Sequence, residues 1–75
     1  MNKQRREKLF LIIRKLEQIN EMIKEVKDEE EDSYENMNDG LKSTMRGITM
    51  EMNISNMEEV IDKMDDIIIS LGMVD

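Results

Sequence analysis

The chain has 75 residues, a net charge of −7 and charged side chains at 39% of its positions. A polypeptide of this length makes one domain and buries only about 60% of the surface its unfolded form exposes, so its core needs reinforcement. It has no Cys and no His, which excludes disulfides, thiolate zinc sites and imidazole acid–base chemistry.

Residues 3 to about 34 read as the first helix. Leu9, Ile12, Leu16, Ile19, Ile23 and Val26 are spaced 3, 4, 3, 4, 3, an a/d heptad seam. Phe10, Leu11, Ile13 and Met22 widen that stripe, and a broad stripe needs more than one neighbour. The longest apolar run, Leu9 to Ile13, falls far short of the ~18–20 residues of a membrane span. It also makes a poor signal peptide, because charge resumes at Arg14 and no small-residue cleavage site follows. The expected location is the cytoplasm.

The first helix ends in the run Asp28-Glu29-Glu30-Glu31-Asp32. A helix C-terminus disfavours negative charge, so this run is the strongest anomaly in the chain. It reads either as a solvated helix end or as an acidic patch for a basic partner. Calcium binding is the weakest alternative, because the EF-hand spacing is missing. Glu35-Asn36-Met37-Asn38-Asp39-Gly40 opens a turn over about residues 35–42. Tyr34, the only Tyr, either caps the end of the bundle or forms a contact point for a partner.

A second helix is expected over about 43–71, with Ser43 as N-cap and Gly72 as the residue that stops it. Met50, Ile54, Met57, Ile61, Met64, Ile68 and Leu71 form its seam, and Gly47 extends it backwards, roughly opposite Glu30. Gly47 there suits a close approach at the neck of the hairpin, and Arg46 beside it suits a pair with Glu30 or Glu31 or an anionic ligand. A capping-box pattern at Ser55 admits a kink. The Met residues at 45, 50, 52, 57 and 64 read as core filler, with a promiscuous groove as the sharper alternative.

Two seams and a short link predict an all-α fold: one domain, residues 1–75, an antiparallel two-helix hairpin with coiled-coil packing. Folding at the turn is expected to set Arg5, Arg6, Lys8, Arg14 and Lys15 beside Glu58, Glu59, Asp62, Asp65 and Asp66. Ile13, Met22, Met52, Val60 and Ile67 find no partner within one hairpin. They predict self-association, most simply a dimer forming a four-helix bundle.

The stretch Asp28–Gly47 resembles the signature of small acidic helical proteins of phages, prophages and mobile elements in low-GC bacteria. In that pattern an acidic helix end leads to an aromatic residue, a D/E-N-M/L-P turn, L-x-x-S-x-R-G and an acidic heptad helix. The matching residues are Tyr34, Glu35, Asn36, Met37, Leu41, Ser43 or Thr44, Arg46 and Gly47; Asn38 stands where the pattern has Pro. The absence of Ala and Pro, with ten Ile and nine Met, fits an AT-rich gene. The resemblance implies a phage or mobile-element context inside a bacterial host and carries over no catalytic residues.

No nucleophile–base pair, phosphate loop or metal cluster is legible, so no catalytic residue, metal or cofactor is expected. The basic arm Lys3–Lys8 lacks interleaved aromatics, and the rest of the chain repels nucleic acid. The expected function is a non-catalytic interaction protein. It would inhibit a host defence or nucleic-acid-binding machine, such as a restriction or CRISPR nuclease, by imitating DNA. One carboxylate per helical turn places a charge every ~5.4 Å, near the spacing of phosphates along a strand. The partners expected are a second copy of the chain and a host protein with a basic surface, with Asp28, Glu29, Glu30, Glu31, Asp32, Tyr34, Glu35 and Arg46 as contact residues. The alternatives are an oligomeric nucleotide sponge using Lys42 and Arg46, and an assembly protein without a defence role.

Overall fold

A computed structural model describes residues 1–75. It contains α1 (Lys3–Glu35), α2 (Asp39–Lys42) and α3 (Met45–Gly72), and no strand. α1 and α3 pack along their lengths as an antiparallel hairpin, a rod of 59 × 15 × 12 Å.

Local chemistry sets the ends of each helix. Asn2 caps α1, its side chain accepting from the Arg5 backbone N–H at 2.9 Å. At the corner Asn38 caps α2, its side chain accepting from the Leu41 N–H at 2.9 Å. Asn38 therefore starts a helical turn of its own. The Ser43 hydroxyl donates back to the Gly40 carbonyl, and the Thr44 hydroxyl to that of Leu41. These bonds correct the expected cap: Thr44, not Ser43, is the N-cap of α3, and its hydroxyl is turned away from the helix it begins. The other end differs too. Gly72 is the last helical residue, Met73 is the C-cap in right-handed geometry, and no Gly adopts positive φ. α3 runs unbroken through Ser55, so the capping-box pattern there starts no new helix.

The seam of α3 follows the spacing read from the sequence. Gly47, Met50 and Ile61 are buried, and Ile54, Met57, Met64, Ile68 and Leu71 are half-buried. The seam of α1 is re-phased. Leu9, Leu16 and Ile23 face α3 as expected, but their companions are Ile13, Asn20 and Lys27 rather than Ile12, Ile19 and Val26. Both choices keep 3–4 spacing. Glu30 and Met37 belong to both phases; the one adopted brings Tyr34 rather than Ser33 onto the seam at the corner. Its cost is a polar residue in the core and an apolar stripe left outside: Ile12, Ile19 and Val26 are 44%, 46% and 55% exposed.

The register between the helices is read from three side-chain bonds: Asn20 to Asp65, Asn53 to Glu30, and Tyr34 to Glu51. The corner occupies residues 36–44, which slides α3 along α1 relative to a tight turn at Gly40. Asp65 consequently lies beside the middle of α1, while Arg6 shares a cleft with Leu71, Gly72 and Val74. The expected pairing of Arg5, Arg6, Lys8, Arg14 and Lys15 with the acids of α3 is not formed. All four ion pairs lie within single helices: Lys24–Glu21, Lys27–Asp28, Lys27–Glu31 and Lys63–Glu59. The same slide moves Gly47 away from Glu30, whose partner is Asn53.

Only four of the 75 residues are buried, and Met50 and Ile61 are the only apolar side chains among them. A single hairpin therefore leaves the deficit anticipated from length unfilled.

Candidate functional site

The heptad phase divides the rod into two unlike long faces. On one side of the seam run Glu17, Glu21, Lys24, Asp28, Glu31 and Glu35 of α1. Beside them on α3 run Glu51, Ser55, Glu58, Asp62 and Asp65. Two shallow clefts open on this side. Glu17, Glu21 and Asp65 edge the first, and Glu31, Glu35, Glu51 and Glu58 edge the second. A single cation, Lys24, interrupts the α1 row, and it pairs with Glu21 at 3.3 Å.

The opposite side is apolar. Ile19, Met22, Ile23 and Val26 of α1 with Met57 and Val60 of α3 line a groove of about 450 Å³ that has no polar residue in its lining. Ile12 and Ile67 extend the stripe at heptad spacing toward the free end. Of the residues expected to be left unpartnered, Met22, Val60 and Ile67 lie on this face, 63%, 46% and 49% exposed. Ile13 does not: it is half-buried in the hairpin's own seam. Met52 is exposed, but heptad spacing sets it on the outer side of α3, away from α1.

The acidic run that stood out in the sequence is spread around α1 by the helix itself. Asp28 and Glu31 lie on the acidic face, Glu30 in the seam, Glu29 toward the apolar groove and Asp32 outward. Lys27 gathers the first two, at 2.9 Å from Asp28 and 3.3 Å from Glu31. Those hydrogen bonds, that of Asp28 foremost, raise the Lys27 pKa above 10.5. This half-buried lysine in the seam was not read as a site residue, since lysine at a seam position is ordinarily a break in the pattern.

Tyr34 ties the corner together. It is half-buried, its hydroxyl donates to Glu51, and the Lys42 ammonium sits 5.1 Å from its ring centroid. The bond to Glu51 raises the phenol pKa above 10.0, because the carboxylate favours the protonated donor; burial adds to it. Arg46 is exposed and forms no ion pair with Glu30 or Glu31. None of the five clefts is lined by Lys42 or Arg46. The five Met residues divide: Met50, Met57 and Met64 fill the seam, whereas Met45 and Met52 are exposed.

No group of three or more Asp or Glu side chains is close enough to hold a metal ion, and no helix is long and apolar enough to cross a membrane. No family model, curated protein or solved structure matches the chain.

Proposed function

We propose that the chain is a non-catalytic interaction protein of phage or mobile-element origin. It inhibits a host defence or nucleic-acid-binding machine by presenting its acidic face to that machine's basic surface. The observation that carries this reading is the segregation of charge: two carboxylate rows, Glu17 to Glu35 of α1 and Glu51 to Asp65 of α3, run side by side along the corner-side part of one face of the rod, and the apolar groove occupies the other face. A helix row spaces its carboxylates by about one turn, ~5.4 Å, and packed helices set two rows ~8–10 Å apart. Such a ladder attracts Lys and Arg clusters that ordinarily grip phosphates. In this reading the apolar face is covered by a second copy, giving a four-helix bundle with acidic outer surfaces.

The test is competition. The chain is immobilised, a bacterial lysate is passed over it, and captured protein is eluted with NaCl or with duplex DNA. The reading expects captured nucleic-acid-binding proteins that leave at moderate salt and in excess DNA. A variant carrying Glu17→Gln, Glu21→Gln, Glu58→Gln and Asp65→Asn should capture none. Capture that survives both high salt and DNA, or that the neutralised variant retains, overturns it. The alternative, an oligomeric nucleotide sponge holding phosphates with Lys42 and Arg46 between protomers, expects thermal stabilisation by a nucleotide; no stabilisation across a nucleotide panel removes it.

A further inference from the structure

The stripe of α1 that borders the apolar groove is ordered by charge from end to end. At heptad spacing it reads Arg5, Lys8, Ile12, Lys15, Ile19, Met22, Val26 and Glu29: three cations with Ile12 among them in the first half, then apolar residues and a closing acid. This order opposes the dipole of α1. Lys3, Arg5 and Arg6 crowd the N-terminal turns, where positive charge is disfavoured, and no basic residue stands in the last turn among the acids. Within the hairpin the basic end of α1 meets the carbonyl-bearing end of α3, Arg6 sharing a cleft with Leu71, Gly72 and Val74, but no ion pair crosses between the helices and the last turn of α1 is left without a cation. The flanking stripe of α3 (Asn53, Asn56, Val60, Lys63, Ile67, Ser70) carries no acid to pair with the cations of the α1 stripe.

A second copy laid against this face in the opposite direction sets the basic end of the stripe against the acidic end of its counterpart, with Lys8 opposite Glu29 and Lys15 beside the partner copy's apolar middle. We infer that the apolar face is the contact of an antiparallel homodimer, with α1 running against the partner's α1 and the two-fold axis passing near Ile19. Ile12 and Val26 each lie seven residues from Ile19, so they meet across the axis. Lys8 lies eleven residues before Ile19 and Glu29 ten after it, so each meets the other's counterpart in the second copy. The basic end of each α1 also lies beside the acidic, carbonyl-bearing end of the other, which answers both helix dipoles. The parallel arrangement does the reverse: it stacks basic ends together and acidic ends together. This inference rests on the second copy invoked above. It adds the direction, and the acidic face is free in either direction.

The test is a distance. Gln4 is replaced with Cys in the otherwise Cys-free chain, spin-labelled, and the label-to-label separation in the dimer is measured by pulsed electron resonance. Gln4 lies fifteen residues from Ile19. The antiparallel dimer therefore places the two labels about 45 Å apart along the rod at 1.5 Å per residue. A separation below about 25 Å, which only the parallel arrangement gives, overturns the inference, and so does the absence of a dimer. A charge reversal gives a second reading that does not depend on the label. Glu29→Lys should weaken the antiparallel dimer at least tenfold in Kd, with recovery on adding Lys8→Glu. Unchanged or tighter association of the single variant contradicts the pairing. Failure of DNA-competed capture with a 45 Å separation intact would overturn only the proposed target; failure of the distance with capture intact would overturn only the dimer's direction.

Discussion

Asn20 Nδ2 donates to Asp65 Oδ1 at 2.8 Å, while the Oδ1 of Asn20 is buried with no hydrogen-bond partner. Asn20 is 2% exposed and sits on the seam between Leu16 and Ile23, beside Asp65 and Ile68 of α3, where a heptad would place an apolar residue. A buried acceptor without a donor costs ~1–3 kcal/mol. A seam Asn is tolerated when it fixes register, and here it holds the middle of α1 against one position of α3. Asn20→Leu therefore removes an unmet acceptor and adds apolar burial. Urea unfolding of this variant should show stability raised by about 1–2 kcal/mol. Destabilisation would mean that the bond to Asp65 outweighs the unmet acceptor.

Gly47 carries the corner. A Cβ built there would lie 2.2 Å from the carbonyl oxygen of Lys42 and 2.6 Å from its Cα, both backbone atoms that cannot swing aside. Helix propensity alone would reward Gly47→Ala by about 1 kcal/mol. The close approach reverses the sign, and the variant should lose about 1–3 kcal/mol of stability. Gly72→Ala is the control, because nothing lies within 4 Å of a Cβ there. It should be neutral or mildly stabilising in the same urea titration. A stable Gly47→Ala would contradict the close approach of the Lys42 backbone to α3.

Tyr34 is the only Tyr and there is no Trp, so tyrosinate absorbance reports one group. With its pKa raised by Glu51, its midpoint should lie above 10.0, and Glu51→Gln should bring it back toward that value. A folded-state pKa above the unfolded one means that the bond contributes fully below pH 10 and is lost as pH rises through the raised value. The corner should therefore loosen only in strong alkali. A Glu51→Gln titration identical to wild type would contradict the contact.

Much of this was legible in the sequence, and the failures have physical causes. The α3 seam from Met50 to Leu71 offers one continuous 3–4 phase, and α3 adopts it. α1 offers two apolar phases that differ by one residue at Ile12 or Ile13, Ile19 or Asn20, and Val26 or Lys27. Local hydropathy favours Ile19 over Asn20 and Val26 over Lys27 and does not separate Ile12 from Ile13, whereas the corner, where Tyr34 rather than Ser33 lies on the seam, goes with the second. That rotation moved Ile13 into the core and Ile19 out of it. The helical turn at Asp39–Lys42 was invisible as hydrophobic periodicity, and its added length displaced the expected ion pairs along α3. The two-faced character of the rod emerges only once the seam is placed.

Ile61 is one of two buried apolar side chains, at 8% exposure. Ile61→Ala should cost about 2–4 kcal/mol. In so thin a core that is a large share of the total, and circular dichroism at 25 °C should show a marked loss of helix at low protein concentration. Ile69→Ala, at a position 58% exposed and off the groove, should change little. Equal effects of the two would contradict the seam.

One hairpin buries too little to stand alone, and a second copy on the apolar side is expected to complete it. Sedimentation equilibrium combined with urea unfolding over a hundredfold range of concentration tests it most directly. The account predicts a mass of twice 8.9 kDa and an unfolding midpoint that rises with concentration, with Met22→Glu reducing both. A particle of 8.9 kDa whose midpoint is independent of concentration, unchanged by Met22→Glu, would contradict it.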